Sequence, residues 1–301
     1  MIAIDPLDLH RVGFIGLGVM GSGQAGNLVR RSGLPVRVFD TVPAAVGRLV
    51  AEGAEGGESI ADVVSTSDVV FLSLPGGAQV ERVVLEEDGV LASARPGTII
   101  VDLSTIPVEV ARRIGGVAVE RGCAFVDAPV ARTRQAAIDG TLSITAGGDP
   151  DVYARVLPLL RTMASDVIHC GPNGAGALIK LVNNMVVFET VVALSEALTL
   201  IRRSGLVDPD VAWSALGQGS AASFTLENHG RKALLPDVHA EGLFSATYMR
   251  KDVGYALDLA AELGTQLPAA QLAHALLGRT IDGGYANAYH TAVVKVVEGE
   301  I

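Results

Sequence analysis

Over residues 1–171 short apolar runs alternate with stretches of helical spacing, and the alternation sets the expected architecture. Runs at 12–15, 36–39, 69–74, 99–102, 124–127, 142–146 and 166–169 read as strands. Residues 22–31 carry a helical pattern that stops at Gly33, and the turn Gly147-Gly148-Asp149-Pro150 opens a second such pattern over 152–163. Strands that alternate with helices predict an α/β domain, a doubly wound parallel sheet. After Gly171-Pro172-Asn173-Gly174 the period becomes purely helical, at 177–203, 208–216, 243–263, 268–283 and 288–297. The sequence therefore predicts an α/β domain over 1–171 and an all-α domain over 172–301, joined by a long interdomain helix.

Composition narrows the classes. With 301 residues, 49% hydrophobic and 19% charged, the chain is long enough for two globular cores. A net charge of -10 without a basic cluster argues against nucleic acid and against an anionic membrane surface as partners. It leaves room for a small anionic substrate, because the local field of a cleft outweighs the global sum. Cys123 and Cys170 show neither C-x-x-C nor metal-ligand spacing, so both are expected as core thiols in a reducing, cytoplasmic compartment. The opening residues lack the pattern of a secretory leader. Lys180, Asn183, Asn184, Glu189 and Glu196 interrupt the long apolar stretch over 177–201, which is expected to be a buried helix and not a membrane span. The six histidines show neither metal-ligand spacing nor an evident carboxylate partner, so no metal is expected and none receives a catalytic role.

The first strand runs directly into Gly16-Leu17-Gly18-Val19-Met20-Gly21. In such a turn the first glycine permits the tight bend, the second lets backbone approach a pyrophosphate, and the third lets the next helix pack closely; the helix N-terminus then faces the phosphates. Asp40 ends the next strand, 19 residues after Gly21, where a carboxylate accepts from ribose hydroxyls. It repels a 2′-phosphate, and Thr41-Val42-Pro43 adds no arginine, so NAD is expected over NADP.

Other candidates lie where the chain returns to the C-terminal edge of the sheet, the ligand-binding edge of such folds. Leu74 and Pro75 close one strand against the cofactor, or form a plain turn. Ser104 and Thr105 cap a helix, touch cofactor and substrate, or do both. Arg132 and Arg134 are surface arginines, or Arg132 offers an oxyanion two donors. Lys180 lies in an otherwise apolar helix with Asn184 one turn later on the same face; the lysine snorkels to water or lines a polar cleft suited to proton transfer.

Taken in order, the glycine turn, Asp102-Leu103-Ser104-Thr105, Asp127-Ala128-Pro129-Val130 with Gly140-Thr141-Leu142, Gly174-x-Gly176-x-x-x-Lys180-x-x-Asn183-Asn184, and Lys251-Asp252 resemble the β-hydroxyacid dehydrogenase family over nearly the whole chain. The resemblance implies a Rossmann-like domain followed by a helical domain, assembled as a homodimer or homotetramer. It implies that Lys180 is the general acid in aldehyde reduction and that Asn184, with Asn183 beside it, handles the substrate. It also places Thr105 and Lys251 at the nicotinamide end. Where most members carry Ser-Gly-Gly after the D-x-P-V strand, this chain has Ala131-Arg132-Thr133. That departure is similar to the Gly-Arg-Thr loop of sulfolactaldehyde reductases, which implies Arg132 and Thr133 as sulfonate ligands. Sulfolactaldehyde reduction is thus one expectation, and 3-hydroxyisobutyrate or tartronate semialdehyde chemistry the alternative. A cofactor-binding regulatory protein without catalysis is the reading from another class, and retention of Lys180, Asn184 and Lys251 speaks against it.

Overall fold

The computed structural model describes residues 9–301, so the leader expectation, which rests on the opening residues, falls outside the described residues. The chain forms two compact units, Met1–Lys180 and Leu181–Ile301. The division falls inside a helix, nine residues beyond the expected boundary at 171.

The first unit opens with β1 (Val12–Ile15), α1 (Gly21–Arg31), β2 (Val36–Phe39), α2 (Pro43–Ala51), β3 (Glu55–Gly56) and α3 (Ile60–Val64). It continues through β4 (Val69–Leu72), α4 (Gly77–Leu85), α5 (Val90–Ser93), β5 (Ile99–Asp102), α6 (Val108–Glu120) and β6 (Ala124–Asp127). It closes with β7 (Val130–Ala131), α7 (Arg134–Asp139), β8 (Leu142–Gly147), α8 (Pro150–Met163) and β9 (Ala164–Gly171). The sheet order is β3-β2-β1-β4-β5-β6-β8-β7, with β9 on β8. β1, β4 and β5 are buried at every position, as central parallel strands covered on both faces must be.

The sheet is parallel only as far as β6. β8 runs antiparallel to β6 and β7, and β9 runs parallel to β8, so the expected doubly wound parallel sheet carries a mixed extension beyond β6. The connections explain this: β7 follows β6 in the same direction after only Ala128-Pro129, and the chain reverses over 132–141, so β8 returns antiparallel between the two. The strand expected over 69–74 ends at Leu72, because Pro75 and the loop bonds of Ser73 and Leu74 leave the ladder. Cys123 is buried, whereas Cys170 is only half-buried on β9, short of a core thiol.

Register aligns the sheet's C-terminal edge. Ile15 pairs with Phe39 and Leu72, Leu72 with Asp102, and Asp102 with Asp127. Every loop that carries a sequence-predicted ligand in this unit therefore leaves from the same side.

α9 spans Ala175–Ser204, thirty residues. Its most apolar window has a mean hydropathy of 1.7, enough by length and composition to cross a membrane, and only 39% of that window is buried. The expectation of a buried helix is corrected: one face, with Val182, Val186 and Leu200 at 41%, 50% and 72% exposure, is open in the single chain.

The second unit continues with α10 (Pro209–Gln218), a π-helical segment Leu226–Leu234, α11 (Ala246–Glu262), α12 (Pro268–Thr280), a π-helical turn Ile281–Tyr285, a 3-10 turn His290–Ala292 and α13 (Val293–Glu298). Phe188, Met249, Val253, Leu277 and Val293 anchor one core, and Trp213 with Leu198 and Leu226 another. The π-helical segment passes Gly230 beneath Trp213, where the indole stands 2.5 Å from the place of a Cβ. Helical period alone did not distinguish this segment, which the sequence left unassigned.

Candidate active site

The glycine turn is held by its own steric demands. Gly16 has φ +96°, and a Cβ there would collide with the Ser73 carbonyl; one at Gly21 would collide with the Gly16 carbonyl. At Gly18 a Cβ would meet nothing within 4 Å, so a ligand can reach the backbone there. No side chain caps the N-terminus of α1, whose positive end lies beside this opening. Asp40 shapes the same turn: Oδ2 accepts from Leu17 N at 2.6 Å and Oδ1 from Val42 N at 2.8 Å. This is a fit for a dinucleotide, with Gly16 to Gly21, Asp40 and the Leu74-Pro75 loop as the residues that would hold it.

The next two loops are tied together. Ser104 Oγ accepts from Leu74 N at 2.9 Å, and Asp102 Oδ1 accepts from Ser104 N at 3.0 Å. Ser104, expected at the substrate, is 5% exposed and spends its hydroxyl on this brace. Thr105 follows, half-buried. Asp102 is fully buried, its Oδ2 has no hydrogen-bond partner among the described residues, and burial pushes its carboxyl up to about 7. Asp127, its register partner, is raised to about 6 by burial against the lowering effect of its amide bonds.

Asp127 seats the start of α9. Oδ1 accepts from Gly174 N and Oδ2 from Ala177 N, each at 2.8 Å, which satisfies orphan amides of the first turn. Gly176 lies so close to the sheet that a Cβ would collide with Thr145 O. Thr145 Oγ1 in turn donates to Gly176 O at 3.2 Å. Lys180, half-buried, comes one turn later.

In the second unit Asn184 is 5% exposed, and its Nδ2 donates to Asp252 Oδ2 at 2.6 Å; Asn183 Nδ2 donates to Asn184 Oδ1 at 3.1 Å. Lys251 Nζ donates to the other oxygen, Asp252 Oδ1, at 2.7 Å and stands 4.8 Å from the centroid of the Tyr255 ring. Asp252, 1% exposed, therefore holds two predicted site residues in one bracket. Sequence reading passed over it except as the neighbour of Lys251. A buried carboxylate accepts only, so it also settles which way the Asn184 amide faces.

Arg132 and Thr133 are both engaged within the first unit. Thr133 Oγ1 accepts from Ala136 N and caps α7. Arg132 has φ +85° and forms an ion pair with Asp166 at 2.6 Å. Among the histidines, His239 does have a carboxylate partner, Asp237 at 3.0 Å, which corrects the expectation of none; the fold joins them across a turn two residues long.

The NAD binding domain of 6-phosphogluconate dehydrogenase matches residues 11–171. The NAD-binding domain of NADP-dependent 3-hydroxyisobutyrate dehydrogenase matches 174–297, a span that contains the whole of α9. The chain is similar to 2-(hydroxymethyl)glutarate dehydrogenase of Eubacterium barkeri, 35% identical over 96% of this chain and 95% of that protein. It is also 35% identical to an NAD-dependent L-serine dehydrogenase of Pseudomonas aeruginosa, over 96% and 98%. Among solved structures, Mycobacterium tuberculosis 3-hydroxyisobutyrate dehydrogenase with L-serine superposes with a TM-score of 0.87 at 32% identity, covering 96% of this chain and 99% of that one. The two domain matches and the site define a nicotinamide-dinucleotide oxidoreductase. The chain belongs to the β-hydroxyacid dehydrogenase family and acts on CH–OH groups.

Proposed function

We propose that this enzyme interconverts a small β-hydroxyacid, or its hydroxysulfonate analogue, with the corresponding aldehyde, using NAD in preference to NADP. The observation that carries the reading is the bracket in which buried Asp252 holds both Asn184 and Lys251. A nicotinamide supplies hydride acceptance and donation when bound. Lys180 gives a proton to the aldehyde oxygen in reduction and receives it from the alcohol in oxidation. Asn184, its amide fixed by Asp252, orients that oxygen, with Asn183 bordering the substrate and Ser104 serving it by bracing the Leu74 loop. Lys251 and Thr105 take the nicotinamide end. Arg132 and Thr133 take the acid group.

The preference for NAD is supported by Asp40, whose carboxylate stands at the glycine turn. A cytoplasmic setting is supported by two free cysteines. A homodimer or homotetramer is supported by the open apolar face of α9 and by Leu206 and Val211, at 86% and 62% exposure.

The test is initial-rate NADH oxidation with sulfolactaldehyde, tartronate semialdehyde, methylmalonate semialdehyde and succinate semialdehyde, with NADPH alongside. Preference for sulfolactaldehyde assigns the Arg132-Thr133 loop to a sulfonate. Preference for a carboxylate aldehyde keeps the mechanism and discards the sulfonate. Absence of turnover with all four removes this substrate class.

A further inference from the structure

Arg132 sits in the left-handed region, φ +85°, where a side chain other than glycine is held only by its surroundings. The contacts that hold it are specific. Nη1 donates to Thr141 O and to Ser165 Oγ, each at 2.6 Å, and Nη2 donates to Asp166 Oδ2 at 2.6 Å. Ser165 Oγ closes the group by donating to the same Asp166 oxygen at 2.7 Å. These acceptors come from the start of β8 and from β9, so the guanidinium spans the outer strands of the sheet extension.

A guanidinium has five N–H donors. Three are used, and those shared by Ser165 and Asp166 belong to the end formed by Nη1 and Nη2. Among the described residues, the Nε–H and the second Nη2–H have no protein acceptor. Together they form the other edge of the fork, the side edge that receives two oxygens of a planar or tetrahedral oxyanion. Arg132 remains 39% exposed, so an anion can reach it.

We propose that Asp166, with Ser165, is a positioning residue that grips the end of the Arg132 guanidinium and presents its side edge to the acid group of the substrate. This rests on the reading of Arg132 as the residue that takes that group. The shared chemistry is an oxyanion with at least two oxygens, carboxylate or sulfonate. The Ser165 hydroxyl, and then Arg132, hold the Asp166 carboxyl below its ordinary range, so the grip is ionised at neutral pH. The pair is exposed, 39% and 53%, and adds little to folding stability; Asp166→Asn is expected to fold.

The experiment compares wild type, Asp166→Asn, Asp166→Glu and Arg132→Lys in two measurements. The first is steady-state reduction of the best acid aldehyde from the panel and of neutral propionaldehyde. The expected result for Asp166→Asn is a KM for the acid aldehyde raised about tenfold, the scale of one lost charge-assisted hydrogen bond. The kcat, the KM for NADH and the kcat/KM for propionaldehyde stay within twofold, and Asp166→Glu recovers part of the loss. The second is calorimetric titration of the NAD-loaded protein with propionate and with ethanesulfonate, which needs no turnover. Asp166→Asn and Arg132→Lys should weaken the favoured anion alike, and which anion is favoured separates carboxylate from sulfonate. Equal losses with propionaldehyde would make the pair a loop clamp and overturn the proposal. A lowered KM would overturn it as well, since Asp166 would then compete with the substrate for Arg132. A wild type silent with every aldehyde, yet binding an anion in an Asp166-dependent way, would sink the proposed reaction and leave this inference standing.

Discussion

Asp102 shows how one buried side chain imposes a pH dependence on the whole protein. Its carboxyl is raised from 3.8 to about 7 in the folded state, so between those values the unfolded chain releases a proton that the folded chain keeps. Stability therefore falls as pH rises through that window and levels off above it, and Asp127 acts in the same direction up to about 6. Asp102→Asn keeps an acceptor for Ser104 N and removes the titration; in urea melts, the stability of wild type relative to this variant should fall from pH 5 to pH 8. Lys180→Ala should abolish turnover while NADH binding, followed by fluorescence titration, persists; loss of both would refute the assigned proton transfer. Asp252→Asn retains one acceptor for two donors, Asn184 and Lys251. It should lower kcat by one to two orders of magnitude, on the order of the 1.5–3 kcal/mol that a hydrogen bond to a charged group contributes. Lys180, Asn184, Lys251 and Asp252 were all legible as motif residues, but the role of Asp252 was not, because a carboxylate's work as a bracket depends on what the fold brings to its two oxygens.

At the scale of elements, the start of α9 is set by three independent constraints: the Asp127 carboxylate, the close approach of Gly176 and the Thr145 hydroxyl. Gly176→Ala forces a methyl against Thr145 O and should cost about 1–3 kcal/mol in thermal or urea unfolding, the usual range for overpacking. A drop in kcat beyond that expected from the folded fraction would show that the seat also places Lys180. The strands at 12–15, 36–39, 99–102 and 124–127 match the sequence expectation residue for residue, since buried parallel strands are read from short apolar runs. The antiparallel turn of β8 was not legible, because an apolar run carries no strand direction. The π-helical segment Leu226–Leu234 escaped for a related reason: its register answers to Trp213 over Gly230, a contact between distant turns.

At the scale of the molecule, the single chain leaves Val182, Val186, Leu200, Leu206 and Val211 open to water. Light scattering coupled to gel filtration should find a dimer or tetramer near neutral pH, and a monomer at micromolar concentration would remove the oligomer reading. The proposed cofactor choice rests on Asp40, whose carboxylate also holds the glycine turn through Leu17 N and Val42 N. Asp40→Asn can accept from only one of Leu17 N and Val42 N, so affinity for NAD should fall as the NAD to NADP ratio shifts toward NADP; an unchanged ratio would count against the ribose contact. The order of apolar runs, the glycine spacing and the linear motifs determined by themselves the fold class, the family and the cofactor type, because each of these is written in local periodicity or in a backbone requirement confined to a few consecutive residues. Tertiary structure alone decided that β8 turns back, that Asp252 joins Asn184 to Lys251, that Asp102 and Asp127 lie buried side by side, and that Asp166 grips Arg132. Each of those depends on residues distant in sequence meeting in space, where burial and the number of hydrogen-bond partners decide what a side chain can do.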